Sequence, residues 1–433
     1  MKSNLNQYIK LAIFAVVLLF FGCKKAEFMP DAVGEEIPVP TYPSLLEGLP
    51  ENTSLFKAMW QKADMDKVLA TEQAQAKLTF LVSNNSAMET AGYTAVKIQQ
   101  LTKDSLQTVL RYHVLNGAIS SDQLAMIGRD LTYFTLLKHP KFLDGEPRDG
   151  TLVRTIPYFY RQQLSMVGGN FIIDGKKLKI GQELAVAQGH VFIIEQVLKA
   201  PQQQMYDFLV KDGRFSLYLK SMELSNTEYA NDFMMNMYPG FGLPVRFMLD
   251  WNYYFEGTFH YSAEWPRHVI HCTLFAPTDA AFNRIGIYTE ADLRALNGRI
   301  ETPWYYETNQ LTPVDSLLKY QYIGGARLET GYNEDYSMIT VDVQMDRFLN
   351  NATIFSQMLD NNKLAEFKNI YHRFYRSGNR IQVGHLKSKE QPADIIEENI
   401  NTIQGPVHVV DRIIVPDDFS MWHKKNNTKR VND

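Results

Sequence analysis

The chain has 433 residues, of which 45% are hydrophobic, enough apolar material to fill more than one buried core. A formal net charge of −4 and a pI of about 6.2 give no electrostatic basis for holding a nucleic-acid backbone. Two cysteines are too few for a disulfide scaffold.

At the N-terminus, Lys2 and Lys10 precede an apolar run from Leu11 to Phe21, and the run leads into Gly22-Cys23. It is shorter than the ~20 residues of a membrane-spanning helix and reads as a secretory signal. A small residue before cysteine resembles the bacterial lipobox, which implies removal of residues 1–22 and acylation of Cys23; the alternative is a plain signal with a chance cysteine. Several acyl chains anchor a protein where one does not, so the chain is expected to be tethered to a membrane. Without Lys2 and Lys10 the mature charge falls from −4 to about −6, still with no basis for nucleic-acid binding. Cys272 is then the only free thiol, and no intrachain disulfide can form. Residues 23–41 hold Pro30, Pro38 and Pro40 among Asp31, Glu35 and Glu36, the composition of an extended, solvated tether.

From residue 42 the pattern becomes globular. Leu55, Phe56, Met59, Ala63, Val68 and Leu69 recur at helical spacing and predict one amphipathic helix before a strand at Leu78 to Val82. Thr79-Phe80-Leu81-Val82-Ser83-Asn84-Asn85-Ser86-Ala87-Met88 reads as strand, polar cap, helix. A second helix is expected near Asp104 to Tyr112, with Leu106, Val109, Leu110 and His113 on one face. Short strands follow at Leu131 to Leu137, Thr151 to Ile156, Leu164 to Val167, Phe171 to Ile173 and Val191 to Leu198. They are punctuated by Asp149-Gly150, Gly168-Gly169 and Asp174-Gly175. Lys138 to Arg148 reads as a surface loop.

Pro201 restarts the pattern. Met205, Phe208, Leu209, Phe215, Leu217, Tyr218 and Leu219 predict leading helices. An aromatic and Met-rich stretch, about residues 225–267, then delays the next strand. That strand is Thr273-Leu274-Phe275-Ala276, broken by Pro277 and followed by Thr278-Asp279-Ala280-Ala281-Phe282, a capped helix start. A helix over Val314 to Tyr322, strands at Ser337 to Val343, Ala352 to Phe355, Ile381 to Val383 and Val407 to Val415, and a stretch of helical character over Asn361 to Arg380 complete the reading. Residues 417–433 form a basic tail.

The two halves say the same thing in the same order. Tyr112-His113-Val114 corresponds to Tyr320-Gln321-Tyr322, and Gly189-His190-Val191-Phe192-Ile193-Ile194 to Gly405-Pro406-Val407-His408-Val409-Val410. The strand–cap–helix segments, the Tyr-His-Val segment and the glycine-led closing strands resemble those of the fasciclin (FAS1) family. The resemblance implies an α+β fold with two tandem fasciclin-type modules, residues 42–200 and 201–416. Each would be a β-sandwich-like sheet core wrapped by short helices, with insertions. It further implies a non-catalytic binding or adhesion module in a Bacteroidetes-like outer-membrane lipoprotein, facing the cell surface or the periplasm. Such a protein could serve as an accessory to a nutrient transporter.

The search for chemistry returns little. There is no G-x-S-x-G elbow, phosphate-cradling glycine loop, H-E-x-x-H or C-x-x-C. His268-Val269-Ile270-His271-Cys272 has zinc-ligand types, but residues three apart on a strand point to opposite faces. No metal or cofactor is expected. Asp279 and Asp411 read as a helix cap and a strand-end hydrogen-bonder. His113 has two readings: part of a recognition surface, or a buried helix-end histidine bonded to backbone. The aromatic insertions, with Trp251, Tyr253 and Tyr254 in one and Trp304 and Tyr305 in the other, either extend the core or form a docking face. A protein partner in the envelope is expected there, or a surface glycan stacked on the rings.

Overall fold

The structure is a computed structural model that describes residues 44–73, 76–127, 131–144, 157–236, 267–269, 272–298, 312–324, 328–330, 338–340, 372–377, 380–385 and 388–415. The expected strands at Thr151 to Ile156 and Ala352 to Phe355, the Asp149-Gly150 turn and the basic tail lie outside these residues.

The first module starts with α1 (Leu45–Gly48), α2 (Ser54–Lys62) and α3 (Met65–Glu72). The single helix expected here is two helices. Asp64 adopts φ 53, in the left-handed region that ends a helix, and the break brings Met65 and Leu69 into one core with Phe56, Met59 and Trp60. β1 (Leu78–Ser83) follows, buried at every position. Next come α4 (Asn85–Thr90), α5 (Ala95–Gln100), α6 (Lys103–Tyr112), β2 (Val114–Asn116) and α7 (Ser121–Ile127). The sheet is then built outward by β3 (Leu131–Asp144), β4 (Pro157–Val167), β5 (Asn170–Ile173), β6 (Lys176–Leu178), β7 (Ile180–Val186) and β8 (Gly189–Ile194).

The second module has α8 (Met205–Asp212), α9 (Ser216–Asn236), β9 (Arg267–Val269), β10 (Cys272–Pro277), α10 (Asp279–Asn283), α11 (Glu290–Asn297), α12 (Pro313–Lys319) and β11 (Tyr322–Gly324). It continues with β12 (Leu328–Thr330), β13 (Met338–Thr340), β14 (His372–Ser377), β15 (Arg380–His385), β16 (Ala393–Asn401) and β17 (Pro406–Val410). The described chain is therefore α+β with two sheet-containing modules. One sheet runs β6-β5-β4-β3-β2-β1-β8-β7 with β9 added beside β3; a second runs β11-β10-β17-β16-β15-β14, and β12 pairs with β13 in a two-stranded sheet.

The sequence repeat is also a repeat of register. β1 pairs antiparallel with β2 and parallel with β8, so Phe80 lies between Val114 and Val191. β10 pairs antiparallel with β11 and parallel with β17, and Leu274 lies between Tyr322 and Val407. Because strand side chains alternate, Leu78, Phe80, Val82, Val191 and Ile193 enter the core under the helices, while Leu81, Phe192 and Ile194 enter the core on the opposite face. The second module sorts Leu274, Ala276, Val407 and Val409 from Phe275 and Val410 in the same way. Full burial of a ring such as Phe80 contributes about 2–3 kcal/mol.

The closing glycine of each module has a physical reason. Gly189 has φ +144, and a Cβ there would sit 1.9 Å from the Leu78 carbonyl oxygen; Gly405 has φ 150.

Three further expectations are corrected. The loop read over Lys138 to Arg148 is strand as far as Asp144. Register shifts against β4 accommodate Pro140, and the His139 ring nitrogen Nδ1 accepts the Lys141 and Phe142 amides while the ring stacks on Phe142. Within the stretch Asn361 to Arg380, read as helical in character, the described His372 to Ser377 is a strand paired with β15. Val191 to Leu198 is strand only to Ile194.

The modules interlock. Residues 42–433 group as one unit. β9, which follows the second module's helices in sequence, pairs with Phe142–Asp144 of the first module's sheet. Val269 and Ile403 are buried in the first module's outer core, and the Tyr158 hydroxyl donates to the Ile403 carbonyl at 2.9 Å. Asn399 Nδ2 donates to the Gly175 carbonyl at 3.3 Å.

Candidate functional site

The polar residues of the repeated motifs come first, because they are the ones that could carry chemistry. His113 sits at the C-cap of α6 and is only 1% exposed. Its Nδ1 meets the Val109 carbonyl at 2.9 Å, which makes Nδ1 the protonated nitrogen. Its Nε2 accepts the Leu198 amide at 3.0 Å. Burial pushes its pKa down to about 4, so the ring is neutral at pH 7. Its place in the interior removes it from any recognition surface. Gln321 occupies the same position in the second module and contacts the matching backbone. Its Nε2 donates to the Ile414 carbonyl at 2.7 Å and its Oε1 accepts the Ile414 amide at 3.3 Å. Leu198 and Ile414 each lie nine residues after the closing glycine, so both side chains tie a helix end to the exit of the closing strand.

The cap residues divide their work in the same way in both modules. Asn84 caps α4 through the Ala87 amide, and Thr278 caps α10 through the Ala281 amide. The next residue reaches outward. Asn85 Oδ1 accepts the Leu55 amide at 3.0 Å and its Nδ2 donates to Ser54 Oγ at 3.0 Å. Asp279 accepts the Leu217 amide at 2.7 Å and the Ser216 hydroxyl at 2.8 Å. Asp279 is thus a helix cap, but of α9 rather than of its own helix. Asp411 accepts the Asp394 amide at 2.7 Å and pairs with Arg284 at 2.8 Å.

A third pair escaped the sequence reading. Gln188 and Gln404 each stand immediately before the closing glycine. Gln188 Oε1 accepts the Leu45 amide and its carbonyl accepts the Leu78 amide. Gln404 does the same for Met205 and Cys272. The signal was present as Gln-Gly ahead of both closing strands.

The second module also buries His372, His385 and His408 around Phe275 and Tyr320. His372 Nε2 meets the Tyr320 carbonyl at 2.8 Å, and its pKa is pushed down to about 4, chiefly by burial. Among the described residues no group of three or more His, Cys, Asp or Glu could hold a metal. His268 lies on β9 in the first sheet, and Cys272 begins β10 in the second.

An open cleft of about 720 Å³ lies at the module junction. α4 supplies Ser86 and Thr90, the β5–β6 hairpin Asp174 and Lys176, the stretch after β8 Gln196 and Lys199, and the second module Asn401. Ala87, Tyr112, Ile173, Leu178, Val197 and Leu198 are buried apolar residues of its lining. The cleft brings together residues that no motif linked. Cys23, Trp251, Tyr253, Tyr254, Trp304 and Tyr305 lie outside the described residues. No described helix is long and apolar enough to cross a membrane.

Residues 51–200 match the family model of the fasciclin domain, a stretch that contains β1 to β8. No curated protein is significantly similar in sequence. Among solved structures, the chain is similar to a FAS1 domain pair from the insect cell adhesion molecule Fasciclin I. The identity is 14% and the TM-score 0.26, with 86% of this chain and 99% of that chain covered.

Proposed function

We propose that this chain, with a fasciclin domain over residues 51–200 as the starting point, is a non-catalytic binding module tethered by lipid to a bacterial cell envelope. Fasciclin domains are cell-adhesion modules, and the second module repeats the register of the first around its central strand, which supports a tandem pair over residues 42–200 and 201–416. One observation carries the non-catalytic reading. The ionisable and amide groups of the repeated motifs (the buried His113 and Gln321, the half-buried Asp279 and Asp411) are all bound to backbone rather than aimed at a shared cavity. A catalytic centre needs such groups within reach of one reacting atom.

In this reading residues 1–22 are removed, Cys23 is acylated, and residues 23–41 hold the modules away from an outer membrane, toward the surface or the periplasm. The partner is an envelope protein such as a nutrient transporter, met by the aromatic insertions with Trp251, Tyr253, Tyr254, Trp304 and Tyr305 at the contact. The test is a gentle-detergent pull-down of the tagged protein from native membranes, beside Trp251→Ala/Tyr254→Ala and Cys23→Ser variants whose folding is checked by circular dichroism. The expected result is a stoichiometric envelope protein lost in the aromatic variant, and loss of membrane retention in Cys23→Ser. An absence of any stoichiometric partner would remove the docking reading, and unchanged membrane retention would remove the anchor.

A further inference from the structure

We propose that the cleft at the module junction binds a short neutral glycan. This goes beyond the docking reading and uses different residues. Its volume of about 720 Å³ falls inside the ~300–1,000 Å³ of small-ligand clefts. The chemistry of the lining selects among ligands. Its charged residues are two of each sign, Lys176 and Lys199 against Asp174 and Glu195, and Glu195 also meets Lys179 at 3.6 Å. A phosphate or nucleotide would meet carboxylates there, and a lipid chain would have to desolvate both signs.

A polyhydroxylated ligand meets complementary groups instead. Ser86, Thr90 and Gln196 are exposed on the rim, with Asn401 beside them, and all four carry neutral hydrogen-bonding groups. The Thr90 hydroxyl donates to the Ser86 carbonyl at 2.8 Å, which leaves its oxygen lone pairs to accept from a ligand hydroxyl. The buried apolar lining, which includes Ala87, Tyr112, Ile173, Leu178, Val197 and Leu198, offers a contact for the C–H face of a sugar ring. A peptide fits less well, because the edge strand at the cleft, β6, has only three residues and offers little backbone for strand addition. Asn401 comes from the second module, so occupancy bridges the modules and stabilises their junction.

The experiment is titration calorimetry of the full mature chain, lipid site replaced by Cys23→Ser, against a panel of neutral tetrasaccharides (α-glucan, β-glucan, β-mannan, chitin-type). Sodium phosphate and a mixed tetrapeptide serve as competitors. The expected result is saturable binding to at least one tetrasaccharide, unchanged in ~0.5 M NaCl because neither partner surface is charge-selective. Binding weakens about tenfold in Gln196→Ala/Asn401→Ala, as expected for two lost hydrogen bonds. Both residues line an open cleft, and a thermal melt of the variant confirms folding. The proposal is overturned if no tetrasaccharide saturates, or if phosphate or the peptide binds in its place. It is also overturned if binding survives the cleft variant but is lost in Trp251→Ala/Tyr254→Ala. That last outcome would move sugar recognition to the aromatic insertion, and failure here leaves the pull-down result untouched.

Discussion

In the first module the residue after Tyr112 is an imidazole; in the second the residue after Tyr320 is a carboxamide. Each ends on the backbone where the closing strand exits, at Leu198 and Ile414. An imidazole with one protonated nitrogen and a carboxamide both offer a donor and an acceptor, and that is all this position requires. The same holds after the central strand, where Asn85 and Asp279 accept an amide from the first turn of the helix packed above, Leu55 and Leu217. What the two modules share is therefore a set of backbone bonds, reached with different side chains. A reading that gave His113 a recognition duty mistook the chemical type of the residue for its purpose.

The equivalence can be tested by substitutions of decreasing severity. Gly189→Ala is the most damaging, because the added Cβ would collide with the Leu78 backbone. A loss of ~3 kcal/mol or more is expected in urea unfolding, with Gly405→Ala failing in the same direction. His113→Ala leaves the Leu198 amide buried and unbonded and should cost ~2–3 kcal/mol, as should Gln321→Ala; His113→Gln should keep at least half of that stability. A His113→Gln variant as unstable as the alanine variant would show that the modules are not equivalent here. Gln188→Ala should cost about 1 kcal/mol, since it removes one acceptor from a leading helix, and Gln404→Ala somewhat more, because the buried Gln404 also donates to Gln204 Oε1. Asp279→Asn, which makes the second module's cap resemble the first's, should change the melting free energy by only a few tenths of a kcal/mol.

Much of this frame could be read directly from residues. Thr79 to Met88 and Thr273 to Phe282 announced strand, cap and helix, and the glycine-led strands announced closure. These signals are local and depend on side-chain type. The misreadings have physical causes of another kind. Pro140 and the surrounding lysines disguised a bulged strand as a loop. Glu397 and Glu398 broke the alternation that would have marked β16. The left-handed Asp64 carries no sequence signature that separates two helices from one. β9 joins a sheet belonging to the other half of the chain, which periodicity cannot reveal. The cleft was hidden for the same reason, because Ser86, Asp174, Gln196 and Asn401 meet only once the modules have packed.

His113 gives the comparison a pH dependence. Its pKa is about 4 in the fold against an ordinary 6.5, so the unfolded chain binds the extra proton first. The stability tied to this group is fully present above pH 6.5 and is lost as pH falls toward 4, a change on the order of 3 kcal/mol. Gln321 does not titrate, although His372 gives the second module a similar acid sensitivity through its own burial. The decisive measurement is hydrogen exchange at the Leu198 amide between pH 4 and 7, corrected for intrinsic rates, in wild type and in His113→Gln. A steep loss of protection on acidification in the wild type, much flattened in a variant that stays protected at pH 7, is the predicted result. Equal slopes in the two proteins, or loss of protection in the variant at pH 7, would contradict the view that the histidine is an interchangeable structural tie.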